Sequence, residues 1–470
     1  MVFSEIADRL GRGAESVQGA VSEAFFEPVI RLGVTGLSRA GKTVFITSLV
    51  ANMIDRGRMS GLRASSSGAL RTAYLQPQPD DIVPRFDFET HLGAMTGPKP
   101  FWPESTRAIS ELRLSLLVQP SGLWGAVGGP RKVHIDIVDY PGEWLLDLAL
   151  LDQTFADWSE KTLARMKMRD AANDYLSGLG GFDPAAPLEE STAQKLAASF
   201  TGYLARARMA GFSDYTPGRF LLPGDLAGSP ALTFAPLPTS ENPPRGSIWR
   251  EMDRRFEAYK SKVVKPFFRD HFARIDRQVV LVDVLGAVHA GPEAVADLRG
   301  AMAGILSAFR PGRNRFLSQI LLGMRVEKIL FAATKADHIH HAQHPRLTSL
   351  MEALVKDARS RADFAGAETR AMSIASLRCT TEETRRHDGA HLDLVRGRLE
   401  DGRQAAFYPG ELPPDPSYLL APGQGDGQRW LDGDFSAMAF SPAPLTLAPG
   451  NGPPHIRLDK AAEFLFGDRL

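Results

Sequence analysis

The sequence predicts an α/β protein: a mostly parallel sheet with one antiparallel strand, a large helical insertion, and a C-terminal elaboration rich in glycine and proline. Three observations predict this fold. A β-branched apolar stretch, 29–34, leads into a glycine-rich segment that is followed by apolar residues at helical spacing. Two apolar runs, 279–285 and 329–333, are typical of strands buried on both faces of a parallel sheet. Two alternating segments, 109–118 and 133–138, flank a glycine-rich turn and predict an antiparallel pair.

The glycine-rich segment, 36–43, matches G-x-x-x-x-G-K-[ST], the phosphate-binding loop of P-loop NTPases. Strand, loop and helix follow one another as this motif requires. We expect Lys42 to reach the β- and γ-phosphates and the Thr43 hydroxyl to bind Mg²⁺. Backbone N–H groups around the loop, at the start of a helix, would surround a phosphate. The predicted phosphate contacts are Gly36, Ser38, Arg39, Ala40, Gly41, Lys42, Thr43 and Val44, with Gly142 discussed below.

Composition narrows the class of protein. The chain has 470 residues, which suggests two to three units or one core with large insertions. Lys+Arg and Asp+Glu number 55 each, so no global charge attracts nucleic acid, and no nucleic-acid partner is expected. Cys379 is the one cysteine, which excludes disulfides within the chain. No apolar run of membrane-spanning length occurs, and the N-terminus does not resemble a signal peptide, so a cytoplasmic location is expected.

A second motif follows the strand 133–138. Asp139 and Gly142 form D-x-x-G, a pattern found in GTPases where an apolar strand ends. We expect Asp139 to hold Mg²⁺ through its water shell. Because Gly142 carries no side chain, its N–H group can approach the γ-phosphate.

A third motif follows the strand 329–333. Residues 334–337 match [NT]-K-x-D, the base-recognition pattern of GTPases. The Asp337 carboxylate would accept hydrogen bonds from the guanine N1–H and amino group, a donor pair that adenine lacks. Thr334 opens the motif, and the Lys335 stem would cover the ring face. The alternative is that Lys335 and Asp337 merely follow a strand.

The rest of the chain divides into segments around this core. A last strand is predicted within 369–376, and there Ala375 and Ser376 would contact the base through backbone N–H groups, although this motif is degenerate. Residues 58–104 are predicted to be mostly loop, 385–455 either a small β-rich unit or ordered coil, and 456–468 a helix docked on the core. The predicted units are an N-terminal helix at 1–28, the first part of the core at 29–143, a helical insertion at 144–275, the second part of the core at 276–384 and the elaboration with its closing helix at 385–470.

Three predictions concern surfaces. The helix at 4–26 is expected to pack on the domain or on a partner, and the alternative is an amphipathic helix on a membrane surface. The mildly basic helix 248–275 is expected to present a solvated face, although it could also meet an acidic partner or lipid headgroups. The histidines of 338–341 are expected at the surface rather than in a zinc site.

With these motifs in hand, the chain resembles the YcjX-like family of bacterial P-loop proteins along nearly its whole length. The resemblance implies a Ras-like core with a large helical insertion, guanine-nucleotide binding and dependence on Mg²⁺. Members of this family are labelled both ATPases and GTPases, and the family is associated with bacterial envelope-stress systems. The stretches that carry the resemblance are Leu32 to Thr43, Phe101-Trp102-Pro103-Glu104-Ser105-Thr106-Arg107 and Asp139-Tyr140-Pro141-Gly142-Glu143-Trp144.

The resemblance also suggests catalytic groups. Thr106, with Ser105 as its rival, would close over Mg²⁺ and the γ-phosphate. Glu143 stands where Ras-like enzymes place the glutamine that orients water. A carboxylate there is electrostatically unfavourable unless it acts as a base or points away, so hydrolysis should be slow. Arg39 would offset transition-state charge or face solvent, and Lys42 completes the candidate set.

Together these features predict a GTPase that hydrolyses GTP slowly with Mg²⁺ and acts as a nucleotide-dependent switch. Its protein partner would bind through the helical insertion or the switch regions. One alternative is an ATPase or small-molecule kinase, against which residues 334–337 argue. Another is a nucleotide-stabilised scaffold with little turnover, which Glu143 leaves open.

Overall fold

A seven-stranded sheet organises the fold. The computed structural model describes residues 27–37, 39–104, 108–119, 129–307, 326–356, 359–360, 366–387, 390–420 and 435–470. The strand order is β2-β3-β4-β1-β5-β6-β7, and β3 alone runs against its neighbours. The predicted mostly parallel sheet with one antiparallel strand is therefore confirmed. The strands are β1 (Val29–Gly36), β2 (Leu70–Gln76), β3 (Ser110–Val118), β4 (Arg131–Asp139), β5 (Arg277–Val282), β6 (Lys328–Ala333) and β7 (Glu368–Ser373).

Helices cover both faces of this sheet and build the insertion. Short 3₁₀ turns and one π-turn, Lys260–Val264, lie between them. The α-helices are α1 (Lys42–Ile54), α2 (Arg63–Ser66), α3 (Phe88–Thr96), α4 (Glu143–Leu146), α5 (Phe155–Met166), α6 (Asn173–Gly178), α7 (Glu190–Met209), α8 (Ile248–Tyr259), α9 (Lys265–Asp270), α10 (Val284–Ala290), α11 (Pro292–Ser307), α12 (His344–Leu354), α13 (Ser417–Leu420) and α14 (Leu458–Phe466).

The central strand β5 is buried on both faces, as its apolar run predicts. Val279 and Leu281 pack into the cluster that contains α1 and α14. Val280 and Val282 point the other way, into the cluster that contains the insertion. Because side chains alternate along a strand, only a continuous apolar run can fill two cores at once.

Residues 58–104 are more regular than the predicted loop. The strand β2 pairs with β3 at the edge of the sheet, and Asp87 caps α3, its side chain accepting a hydrogen bond from the Thr90 N–H at 3.4 Å. The sequence did not predict β2 because the apolar pattern of this strand is weak. Only Leu70 and Ala73 of β2 are buried, and the pairing with β3 supplies the order.

The insertion is built around a cluster of aromatic rings. Trp158 of α5 stacks on Phe256 of α8 with ring centroids 5.2 Å apart, and it meets Phe234 edge-on at 5.5 Å. These rings belong to the same buried cluster as Val280 of β5 and Phe331 of β6. The predicted helical segments are observed there, and the insertion core is continuous with one face of the sheet.

The C-terminal part of the chain is partly β-rich. Three antiparallel strands form a second sheet, which begins at Thr380 and so starts before residue 385. The closing helix α14 docks on the core as predicted, with Leu458 and Leu465 fully buried against the sheet. The three strands are β8 (Thr380–His387), β9 (Ala390–Arg398) and β10 (Gln404–Phe407).

Two further observations concern membranes and the N-terminus. Among the helices of the described residues, none combines the length and the apolar character that crossing a bilayer would need. The helix predicted at 4–26 lies outside the described residues.

A buried carboxylate joins α4 to the insertion. Asp147 directly follows α4, and its Oδ1 accepts the Gly218 N–H at 2.8 Å, while the Tyr259 hydroxyl donates to Oδ2. Burial raises the pKa of Asp147 to about 7, although both hydrogen bonds oppose that rise. The folded protein therefore keeps this carboxyl protonated at pH values where the unfolded chain has released its proton.

We expect the substitution Asp147→Asn to change how stability depends on pH. Between pH 4 and pH 7 the wild type loses stability relative to the variant, because folding must retain a proton that the unfolded chain gives up. The relative loss should be about 4 kcal/mol across this range and should level off above pH 7. Urea unfolding followed by tryptophan fluorescence at several pH values measures it.

Asp174→Asn is the matched control, since its side chain is 81% exposed in the same insertion. We expect its unfolding free energy to stay within about 0.5 kcal/mol of the wild type throughout. If the free energy of unfolding depended on pH in the same way in the wild type and in Asp147→Asn, the assignment of a buried, protonated carboxyl would be contradicted.

Candidate functional site

The phosphate-binding loop connects β1 to α1 at the carboxyl end of the sheet. Gly41 adopts a left-handed conformation at φ 78° immediately before the helix, which a glycine does at no steric cost. Arg39 is also left-handed, at φ 63°, and is exposed. The loop thus curls back, and the helix N-terminus provides positive potential for an anion.

The D-x-x-G segment lies directly against this loop. A Cβ on Gly142 would fall 2.0 Å from the Gly36 carbonyl oxygen and 3.0 Å from the Gly36 nitrogen. Gly36 is confined as well, because its own Cβ would lie 2.9 Å from the Cβ of Leu281. The two predicted phosphate-contacting segments therefore touch backbone to backbone, and no other residue type fits at Gly142 without displacing one of them.

The residues predicted to hold Mg²⁺ belong to neighbouring elements. Asp139 ends β4, which pairs in parallel with β1 so that Asp139 lies opposite Val34, two residues before the loop. Thr43 is in the first turn of α1, and both side chains are buried. A hydroxyl and a carboxylate are hard oxygen donors of the kind that Mg²⁺ takes together with water and phosphate oxygens. The donor set fits the ion.

Glu143 is held by the insertion. Its Oε1 lies 3.4 Å from Arg208 Nη2 of α7 and 3.5 Å from the hydroxyl of Tyr215. Its backbone carbonyl packs on Gly218, where a Cβ would approach within 2.2 Å. In this conformation the Glu143 carboxylate faces a cation and a hydroxyl of the insertion. Sequence reasoning could not show this contact, because Arg208 lies 65 positions further along the chain.

Three of the predicted site residues lie outside the described residues: Ser38, Ser105 and Thr106. Their roles stay predictions. Lys42 is in the first turn of α1 and is 91% buried. Ala40 lies within the loop and Val44 follows it, and the Ala40 N–H already donates to the Leu37 carbonyl at 3.1 Å.

The predicted base-recognition segment follows β6. The Thr334 N–H donates to the Val282 carbonyl at 3.0 Å, which continues the β5–β6 pairing. Lys335 adopts a left-handed conformation, and its ammonium group pairs with Asp283, the residue that caps α10. The Lys335 side chain is thereby directed along this edge of the sheet.

Asp337 is buried and is fixed by a residue that sequence reasoning missed. Its Oδ2 accepts the Cys379 N–H at 2.9 Å and the Cys379 thiol at 3.1 Å. Burial raises the pKa of the Cys379 thiol well above its usual range, so the thiol keeps the proton that it donates. The Thr380 hydroxyl donates to the Asp337 carbonyl. The sequence around Cys379 contains no pattern that predicts a contact with Asp337. Its position after β7 does not predict that contact either.

The predicted pair Ala375 and Ser376 follows β7 as expected. The Ala375 N–H, however, donates to the Ile456 carbonyl at 3.1 Å, and the Ile456 N–H donates back to Ala375 at 2.8 Å. The C-terminal segment thus occupies the N–H group that a base would use. Ser376 is buried, and its contact with a base stays a prediction.

The predicted phosphate and base segments gather at one edge of the sheet. The phosphate loop follows β1, Asp139 ends β4, Asp337 follows β6 and Ser376 follows β7, all of which run in the same direction. Ligands of α/β proteins bind at the carboxyl ends of such strands. The geometry therefore supports one nucleotide site, with a phosphate end at the loop and a base end at Asp337.

We expect Gly142→Ala to disrupt the phosphate end. Its methyl group would overlap the Gly36 carbonyl, so either the loop or the D-x-x-G segment must shift. The expected cost is about 1–3 kcal/mol of stability, together with at least a tenfold loss of GDP affinity by calorimetry. The control is Gly93→Ala inside α3, where a Cβ meets nothing within 4 Å and should be neutral or slightly stabilising. Equal behaviour of the two variants would contradict the proposed overlap.

Comparison with known proteins identifies the family of this chain. The model of the YcjX-like family, DUF463, matches residues 30–470. A protein of Escherichia coli (strain K12) named Ras-like GTPase YcjX is 37% identical over 456 residues, which cover 94% of this chain and 96% of that protein. A protein of the same name from Shewanella oneidensis is 33% identical over 470 residues, covering 94% of each. With the phosphate loop, the D-x-x-G segment and the mixed sheet in place, the chain belongs to the YcjX-like family.

Proposed function

We propose that this chain binds GTP and GDP together with Mg²⁺ and hydrolyses GTP slowly, as a nucleotide-dependent switch in the cytoplasm. The observation that carries the proposal is the Asp337 carboxylate, buried and oriented at the carboxyl edge that also holds the phosphate loop. The names of the two relatives agree with it. A role in envelope stress rests on the family resemblance alone.

Base selection follows from the hydrogen bonding of Asp337. A carboxylate has about four acceptor positions, and the two bonds from Cys379 use half of them. The remaining acceptor positions can accept hydrogen bonds from the guanine N1–H and amino group. Adenine presents no such donor pair on this edge, so a buried carboxylate facing it would lose solvation without compensation.

At the phosphate end, Lys42 supplies a positive charge, and the N–H groups of the loop and helix α1 surround the phosphates. Thr43 and Asp139 would hold Mg²⁺, which when bound neutralises charge on the β- and γ-phosphates. Gly142 packs directly on Gly36 of the loop. From this position the Gly142 N–H group would donate to the γ-phosphate.

Slow hydrolysis follows from the contacts of Glu143. In the present conformation its Oε1 faces Arg208 and Tyr215 of the insertion, so an attacking water would have to compete with these groups for the carboxylate. A base role would require the insertion to release it. This contact also favours the second candidate, a scaffold that binds nucleotide and turns over little. Arg39, exposed in the loop, and Thr106 stay candidate groups for transition-state charge and Mg²⁺.

Calorimetry with Mg²⁺ and GDP, GTPγS or ADP tests the base assignment. We expect guanine nucleotides to bind the wild type and ADP to bind far more weakly. Asp337→Ala should weaken GDP binding about 100-fold or more, roughly 3 kcal/mol, without improving ADP. Asp337→Asn exchanges an acceptor for a donor and should instead favour xanthosine diphosphate, whose C2 carries an oxygen. A gain of binding of this kind cannot come from misfolding.

The matched control is Asp401→Ala, which removes an exposed carboxylate from the turn between β9 and β10 and should leave every affinity unchanged. ADP binding as tight as GDP, or an unchanged preference in Asp337→Ala, would overturn the guanine assignment and favour the ATPase or kinase. Multiple-turnover phosphate release then separates a slow GTPase from a scaffold.

A further inference from the structure

Two histidines and a glutamate converge next to the base-recognition segment. His340 and His341 follow Asp337 by three and four residues, and Glu382 lies on β8. One potential ligand atom from each of the three lies within 4.8 Å of the other two. We call this group the His–Glu cluster. The surface position expected for the histidines is incorrect for His340, which packs against the second sheet and is buried.

We propose that the His–Glu cluster is a binding site for a zinc ion. His341 Nδ1 lies 2.6 Å from Glu382 Oε2, and His340 Nε2 lies 3.8 Å from the same oxygen. Two imidazoles and a carboxylate form a donor set that zinc binds and that Mg²⁺ and Ca²⁺ disfavour. Three protein ligands leave a fourth position for water.

The surroundings of the cluster support ligand binding. His340 Nδ1 accepts the Ala342 backbone N–H at 3.4 Å and lies 3.5 Å from Asp393 Oδ2, while its Nε2 faces Glu382. The His341 N–H donates to Glu382 Oε1 at 3.2 Å and fixes the carboxylate. Arg378 Nη2 lies 3.9 Å from that same Oε1, whereas Oε2 faces the two histidines. The His341 side chain is 67% exposed, so an ion can enter from solvent.

A zinc ion here would link the segment after β6 to the segment that leads into and includes β8. Hydrogen bonds between Asp337 and Cys379 already connect these two segments. Asp337 is bonded to Cys379, and three residues further along both segments His340 meets Glu382. The ion would therefore form a second cross-link between the segment after β6 and the strand β8. Because the unfolded chain has no such preformed site, binding should stabilise the folded protein.

A second group, Asp337, His338 and Cys379, also brings three potential ligand atoms together. It suits zinc less well. The Asp337 Oδ2 already accepts two hydrogen bonds from Cys379, and the thiol would have to lose its proton in a buried site. A metal ion bound there would carry a thiolate ligand, which is spectroscopically distinct.

The test uses untagged full-length protein, stripped with chelator and free of nucleotide. Titration with Zn²⁺ by calorimetry, with metal analysis after dialysis, should give one tightly bound equivalent and a raised Tm. His341→Ala and Glu382→Gln should each weaken Zn²⁺ binding 10- to 100-fold or more and abolish the rise in Tm. His391→Ala removes an exposed histidine from the same sheet and should bind Zn²⁺ like the wild type. Because His341 is exposed, its variant should fold normally.

Cobalt(II) identifies the ligands. We expect visible d–d bands without a sulfur-to-metal charge-transfer band, and these bands should disappear in Glu382→Gln. A thiolate band would move the site to Cys379 and overturn the proposal. The proposal would also be overturned if the wild type failed to bind one equivalent of Zn²⁺, or if His391→Ala weakened Zn²⁺ binding as much as His341→Ala does. No nucleotide is present, so these outcomes leave the GTP proposal untouched.

Discussion

The backbone contact between Gly36 and Gly142 is the constraint on which the rest of the site depends. It exists because neither residue carries a side chain, and it leaves no space for a shift of either segment alone. Gly36 belongs to the loop that would bind phosphate, and Gly142 immediately precedes the short helix α4. Any group that moves Gly142 relative to Gly36 must therefore also move α4.

Helix α4 is enclosed by the insertion rather than by solvent. Arg219 lies over the Trp144 ring at 3.1 Å from its centroid, and Phe267 meets the same ring edge-on at 5.3 Å. Asp147 is bonded to Gly218 and Tyr259. Packed groups of this kind rearrange between discrete states rather than deform gradually. A displacement of α4 would therefore require the insertion that encloses it to rearrange as well.

The parts of the structure that could be predicted are those with a local cause. The phosphate loop, the D-x-x-G segment and the doubly buried strand β5 each carry their signal within about ten consecutive residues. The edge strand β2 has a weak pattern and depends on pairing with β3. Cys379 and Arg208 were missed for the same reason: each acts on a residue more than 40 positions away, and only the fold brings them to Asp337 and Glu143.

The C-terminal segment shows how the two ends of the site are held together. Asn52 of α1 donates to the Pro453 carbonyl at 3.0 Å, close to where the phosphate-loop helix ends. Four residues later Arg457 donates to the Ser373 carbonyl at 3.0 Å, at the end of β7. Between them, Ile456 pairs with Ala375 in both directions. Because α14 anchors this segment in the core, the segment links the C-terminal end of α1 to the end of β7.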